Sequence, residues 1–407
     1  MKKLRFLALL LVAAFVFSGC NIIKVNPERD GEQVVAEVNG EKIFKKDVYE
    51  SAGITWDKKV ESWEMDDYKQ SKEDALDSLI QQEVVKQKIN DTSLGYYTFT
   101  TDERKEIDDA VTKYKTDNYD KLLADYQEKA KTDPSIKPEE KANADIEQYK
   151  KDQEYQAAYT KAQKQVTDPV TPTEDDIKST YDEILSYEKT QFDSDPSQIS
   201  IFEMYYGYPI LYYPQDGFVR VKQILISLPD DVKTEISELR KANKTDEANK
   251  KRDEELKKIL DKATDELAKV KNANGDLTKL DTLIREYDKA EAANDESAES
   301  STDEEQEIPD YLVYKDTKDW VQEFTDAALT LTDIGKPSEL VATDYGYHIL
   351  WLTEKIAKGD VPLDKAKDDV TEVAKSQKQN EAWSAKIQEW MTEYKSKIKE
   401  YRNRLHN

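Results

Sequence analysis

The stretch GKPSELVATDYGYHILWLTE, Gly335 to Glu354, holds one of the two histidines of the chain and reads as turn, strand, glycine corner, strand. Ser338 to Thr343 and Tyr347 to Thr353 are β-rich runs separated by Asp344, Tyr345 and Gly346. A hairpin therefore places His348 just past the corner, on one face of the second strand. Such an imidazole is either a working group or a strand histidine satisfied by a backbone carbonyl, and the segment alone does not choose.

Working outward, Phe218 to Leu228 (FVRVKQILISL) alternates and is β-branched, hence a strand. Asp230 to about Asn272 is a long charged helical stretch broken near Asn243, and Leu277 to Tyr287 continues as helix. Lys289 to Pro309 is acidic and low in complexity; it reads as a flexible loop, without the spaced oxygens and tight glycine turn of a calcium loop. In DWVQEFTDAALTL, Trp320 and Phe324 stand at i and i+4, a spacing that a plain core stripe also gives.

Taken in order with Gly335, Gly346 and His348, these residues resemble parvulin-type (PpiC-type) peptidyl-prolyl isomerases. The resemblance covers Phe218 to about Glu354 and is strongest from Trp320 onward. It implies that His348 matches the family's second histidine, while Gln223 stands where the first is usual, before Ile-Leu. Trp320, Val321 and Phe324 match the family's Met-Val-x-x-Phe element, so Trp320 and Phe324 would wall a proline slot with Leu312 as a third wall. Asp288 lies near the family's polar Asp or Cys position, beside a rebuilt loop. His348, Gln223 and Asp288 are thus the expected catalytic group. The family's Gly-Gly-Asp-Leu-Gly element is degraded to IPDYLVY, Ile308 to Tyr314, and a glutamine cannot titrate as a histidine does. Weakened or absent catalysis is expected to follow.

Val34 to Phe44 (VVAEVNGEKIF) reads as two short strands around an Asn39-Gly40 turn, and Ala75 to Ile89 carries an apolar stripe at Leu76, Leu79, Ile80, Val84 and Val85. This pair resembles the N-terminal domain of SurA and PrsA foldases. Thr101 to about Lys164 reads as two or three solvated helices broken around Asp133-Pro134 and Pro138, and Thr173 begins another. The aromatic run Ile201 to Pro214 is either packing or an exposed patch for unfolded chains, packing being favoured because large exposed apolar patches are rare. Val361 to Leu405 reads as one long helix or two, with a stripe through Trp383, Ile387, Trp390, Met391, Tyr394, Ile398, Tyr401 and Leu405. In the SurA and PrsA family this segment packs back onto the N-terminal domain.

Met1 to Cys20 has a basic start, an apolar run from Phe6 to Phe17 and a Ser-Gly-Cys ending, the pattern of a bacterial lipoprotein signal. The resemblance implies lipidation at Cys20 and a tether on the extracytoplasmic face of the cell membrane, in a Gram-positive cell. Cys20 is the only cysteine, so no disulfide is expected. A formal charge of −25 disfavours nucleic acid and anionic surfaces as partners. With eleven dispersed glycines and two histidines, the chain has no phosphate-cradling loop and no histidine-rich zinc site, so neither cofactor nor metal is expected.

The expected fold is α+β: a helical SurA/PrsA-like chaperone domain formed by N- and C-terminal segments, with an inserted parvulin-like domain of small antiparallel sheet flanked by helices. The expected boundaries are 1–20 signal, 21–33 tether, 34–216 helical domain, 217–356 parvulin-like domain with an acidic insertion at 289–309, and 357–407 closing helix. The expected role is a lipid-anchored foldase acting on unfolded or partly folded secreted proteins. A holdase whose parvulin-like domain only binds is the alternative, a solute-binding lipoprotein is disfavoured by the absence of alternating strands and helices, and homodimerisation is left open.

Overall fold

The computed structural model describes residues 30–54, 66–205, 207–294 and 308–405. The signal segment with Cys20, most of the tether and the acidic stretch 295–307 lie outside the described residues. Two compact units emerge, one from 1–171 with 377–407 and the other from 172–376. The chain is thus mostly helical with small antiparallel sheets, and the second unit is an insertion into the first. This division differs from the expected boundaries: 172–216 and 357–376 pack with the inserted unit.

In the first unit, β1 (Val34–Val38) and β2 (Glu41–Phe44) pair antiparallel around Asn39 and Gly40, whose φ values of 49° and 99° suit an Asn-Gly hairpin turn. Helix α1 (Lys45–Ser51) leads to α2 (Asp66–Ile89), whose Leu76, Ile80, Val84, Val85 and Ile89 are buried on one stripe. Helices α3 (Thr101–Thr132) and α4 (Pro138–Thr167) pair as a hairpin, with Tyr114 stacked on Tyr149 at 3.9 Å and Tyr126 donating to Asp145. Ile107 is the only buried residue of α3, so much of this hairpin is solvated.

The closing segment departs from expectation. Its helix α11 (Leu363–Tyr394) stops at Tyr394, and Ile398–Glu400 forms a strand, β9, that pairs antiparallel with β1 in a sheet of order β2-β1-β9. The apolar spacing through Ile398, Tyr401 and Leu405 is therefore not one helical stripe. The open edge of β1 offers backbone partners, Asn39 N donating to Lys397 O and Tyr401 N to Val35 O, and the ladder wins over helix extension. Trp383, Trp390 and Tyr394 nevertheless join the core beside α2, with Trp383 Nε1 donating to Tyr159 Oη at 3.0 Å.

In the second unit, α5 (Glu174–Phe192) starts with a capping box between Thr173 and Asp176, and is followed by α6 (Gln198–Tyr205) and β3 (Tyr212–Tyr213). The aromatic run is divided: Phe202, Leu211 and Tyr213 are buried, while Ile201 and Tyr208 are exposed. A central sheet follows, built from β4 (Phe218–Ser227), β5 (Tyr311–Val313), β6 (Val341–Thr343) and β7 (Gly346–Ile356) in the antiparallel order β5-β4-β7-β6. Strand β8 (Gly359–Asp360) pairs with β3. Between β4 and β5 run α7 (Asp230–Lys241), α8 (Thr245–Asn272) and α9 (Leu277–Asn294), with Asn243 at φ 57° in the break between the first two.

Side-chain alternation divides the sheet into two faces. Ile224, Ile226, Ile349 and Trp351 pack against Ala263, Leu267 and Val270 of α8 and Leu280, Ile284 and Tyr287 of α9. Val219, Val221, Val313, Leu350 and Leu352 face the other way, onto Phe324 and Ala328 of α10 (Gln322–Thr330).

Candidate functional site

His348 follows the β6–β7 corner on the α10 face of the sheet, in phase with Leu350 and Leu352, and is 5% exposed. Both ring nitrogens are held. Nδ1 lies 2.6 Å from Gln223 Oε1, and Nε2 lies 2.8 Å from Thr343 Oγ1. An amide oxygen can only accept, so Nδ1 carries the proton and donates to Gln223. In the neutral ring Nε2 is then an acceptor and receives the Thr343 hydroxyl proton; Oγ1 in turn accepts from Tyr345 N at 3.0 Å. The result is one directed chain: Tyr345 N–H to Thr343, Thr343 O–H to His348, His348 Nδ1–H to Gln223.

Burial favours the neutral ring and pushes its pKa from the usual 6.5 down to about 4. Because the folded value is depressed, the associated stability is full above the unfolded pKa of about 6.5 and is lost as pH falls through about 4, about 3 kcal/mol in all. An imidazole 15N titration is expected to place the His348 midpoint near 4; a midpoint near 6.5 would refute this burial. His406 is the only other histidine, so a His406→Gln chain makes the assignment direct.

Beside the imidazole stands an aromatic cluster. Phe324 meets His348 edge to face with centroids 5.4 Å apart, Trp320 lies 5.3 Å from Phe324 with ring planes at 33°, and Tyr311 packs edge-on against Trp320 at 4.9 Å. Trp320 Nε1 donates to Leu312 O at 3.0 Å, which fixes the indole. Phe324 is 2% exposed, whereas Trp320 and Tyr311 are half-buried. The group offers apolar ring surface next to a fixed polar pair, a set suited to gripping a proline ring.

His348, Gln223, Trp320 and Phe324 are therefore brought together, and two other expected residues are not. Leu312 contributes only its carbonyl: its side chain points to the opposite face of β5, among Phe218, Tyr213 and Tyr314, and its neighbour Tyr311 takes the position against Trp320. Strand alternation along β5 is the reason, since adjacent residues of a strand face opposite sides of the sheet. Asp288 sits exposed on α9, the helix whose Leu280, Ile284 and Tyr287 cover the other side of the sheet from His348. Thr343 and Tyr311 are the residues that sequence reasoning missed. Thr343 was readable as the last strand residue before the corner, two positions from Tyr345 in a hydroxyl-amide turn.

The fold and this site define a class, a PPIC-type domain inserted into a SurA-like helical protein. Residues 2–127 match the SurA-like N-terminal domain family and residues 224–354 the PPIC-type PPIASE domain family. Over nearly its whole length the chain is similar to foldase protein PrsA of Clostridium botulinum, 25% identical over 409 residues with 99% of this chain and 98% of that protein covered. It is also similar to foldase protein PrsA of Clostridium kluyveri, 25% identical with 93% of each covered. PrsA from Bacillus subtilis, a crystal structure, shares 20% identity across 90% of this chain and 93% of that one, with a TM-score of 0.26. The chain thus carries both domain matches and is similar to PrsA-type foldases along nearly its whole length. No helix among the described residues is long and apolar enough to cross a membrane.

Proposed function

We propose that the chain is an extracytoplasmic foldase, anchored to the cell membrane through acylated Cys20, that holds unfolded secreted proteins and isomerises their Xaa-Pro bonds at His348 with reduced turnover. The observation that carries the reading is the fixed neutral imidazole against Phe324, with Trp320 packed on Phe324 in turn. Rotation about an Xaa-Pro bond faces a barrier of roughly 18–20 kcal/mol from amide resonance. No covalent step is needed: apolar walls grip the ring, the amide is stripped of water, and the twisted state is stabilised by fixed dipoles.

Two features support reduced turnover. Gln223 keeps a hydrogen bond to His348 but cannot exchange a proton with it. Trp320 and Tyr311 lie against Phe324, so a proline ring reaches that wall only after the indole gives up its bond to Leu312 O. The same coverage favours a second reading, a holdase in which this domain only binds. The solvated α3–α4 hairpin, with its tyrosines, suits contact with extended clients in either case.

The test is a protease-coupled Xaa-Pro peptide assay beside a proline-limited refolding assay, whose uncatalysed phase lasts tens to hundreds of seconds. The full chain is expected to accelerate both, and His348→Ala to lose more than about tenfold in kcat/KM, the scale of a fixed catalytic dipole, while suppression of client aggregation is unchanged. Suppression without any acceleration by the unaltered chain would leave the holdase reading standing.

A further inference from the structure

Two cations converge on the corner that carries the site. Leu228, Val232, Ile236, Ala248 and Leu256 pack together, with Ala342 and Tyr347 against them, which seats α7 and α8 beside the β6–β7 turn. From the end of α7, Arg240 donates through Nε and Nη2 to the two oxygens of Asp344, both at 2.8 Å. From α8, Arg252 Nη1 stands 3.9 Å from Asp344 Oδ1. Asp344 is the residue between Thr343, whose hydroxyl meets His348, and Tyr345, whose amide meets that hydroxyl. The Tyr345 side chain is 49% exposed and so does little to anchor the corner. Its carbonyl accepts from Leu228 N, just past β4, at 2.8 Å, and the turn is flanked by the Thr343–Gly346 and Ser227–Gly346 pairs.

A planar guanidinium that binds both oxygens of a carboxylate resists rotation of its partner, as a single ammonium contact does not. Loss of that fork frees Asp344 and Tyr345 to reorient between those flanking pairs; Tyr345 N then no longer holds Thr343 Oγ1, and the hydroxyl turns off the Nε2 lone pair. We propose that Arg240 is a positioning residue of the isomerase site: by gripping Asp344 it fixes the Thr343–Gly346 corner and so aims the Thr343 hydroxyl at His348. The inference deepens the isomerase reading and rests on it for its effect on turnover. Its structural half, the link from Arg240 to the state of the imidazole, stands without turnover.

The experiment uses the full chain, with Arg240→Ala, Arg240→Gln, Arg240→Lys, Asp344→Asn and the Arg240→Gln/Asp344→Asn pair. Imidazole 15N spectra and Xaa-Pro peptide kinetics are recorded on each. Arg240→Ala and Arg240→Gln are expected to shift the His348 Nε2 resonance toward a free acceptor nitrogen and to populate the second tautomer. They are expected to lower kcat about fivefold, about 1 kcal/mol at 1.36 kcal/mol per factor of ten, with KM unchanged. Arg240→Lys keeps the charge but not the fork, and should recover less than half of that loss. The paired variant should lose no more than either single one, because both act through one contact.

A folded Arg240→Gln chain with an unaltered His348 spectrum would overturn the proposal, as would losses that add in the paired variant. If the unaltered chain turns over no peptide but its His348 spectrum still responds to Arg240→Gln, the isomerase reading fails and the positioning link survives. These two failures are therefore separable.

Discussion

Gly346→Ala is expected to abolish the native packing of the sheet around His348 and to cost the second unit more than about 4 kcal/mol, the range reserved for a few severe mechanisms. Gly346 has φ +143°, and a Cβ built there falls 2.1 Å from Ile226 O and 3.0 Å from Ser227 Cα. The obstructing atoms belong to the backbone of β4, not to the end of a flexible side chain. Relief requires β4 and β7 to part where Ser227 pairs with Gly346, Ile226 with Tyr347 and Leu225 with His348. That is the same register that holds Gln223 and Thr343 on the imidazole, so the His348 tautomer should be lost with the fold. Gly359→Ala is the matched control: φ is +115°, nothing lies within 4 Å of its Cβ, and the cost should be only the roughly 1–2 kcal/mol of left-handed strain. Urea midpoints of the two variants decide the matter. A Gly346→Ala chain within about 1 kcal/mol of the unaltered protein would show that the sheet accommodates a side chain there.

The same glycine illustrates what the sequence made legible. Gly346 and His348 read as a corner and a strand position, and the hairpin that results follows from β-branched runs flanking a turn. Long amphipathic segments were equally readable, since Leu76, Ile80, Val84 and Val85 repeat at helical spacing and pack as one stripe. What failed was short or tertiary. β5 has three residues, too few for a period, so the motif alone locates Leu312 and cannot tell which face of the sheet its side chain takes. Asp288 neighbours the rebuilt loop in sequence, but α9 carries it across the sheet from the imidazole. β9 pairs with a strand more than 350 residues upstream, a contact that no local pattern records. The close approach of Gly335 to Gly275, whose O would lie 2.4 Å from a Cβ at 335, is of the same kind. Trp320 and Phe324 are legible through the family motif alone, since Trp320 stands before α10 and the i, i+4 helical spacing does not apply to it, and Thr343 is hard to read because its partner lies across a turn.

A second consequence concerns a carboxyl that no motif marked. Glu188 is fully buried, its Oε2 accepts from Leu211 N at 2.7 Å, and its Oε1 has no hydrogen-bond partner among the described residues. Burial pushes its pKa up to about 8, a rise that the Leu211 and Tyr212 amides only partly offset. Its sequence neighbours Lys189 and Asp193 are bonded elsewhere, Lys189 to Asp360 at 2.8 Å and Asp193 to the Tyr212 hydroxyl at 2.6 Å. Here the folded value lies above the unfolded one, so the sign is opposite to that of His348. The contribution is full below about pH 4.5 and is lost as pH rises toward 8, by as much as about 5 kcal/mol at 1.36 kcal/mol per unit. Its location gives the loss a direction. Leu211 O accepts from Val361 N at 2.7 Å, and β3 pairs with β8, so Glu188 braces the two strands through which the chain enters β4 and leaves β7. Glu188→Gln keeps an acceptor for Leu211 N and removes the titration. Urea unfolding from pH 5 to 9 is therefore expected to show the unaltered chain weakening relative to Glu188→Gln, with the variant more stable at pH 9 and the two converging near pH 5. Amide exchange at Leu211 should quicken over the same interval in the unaltered chain alone. Parallel stability curves for the two proteins across that range would mean that Glu188 is charged and solvated, and that the strands at 212–213 and 359–360 are held without it.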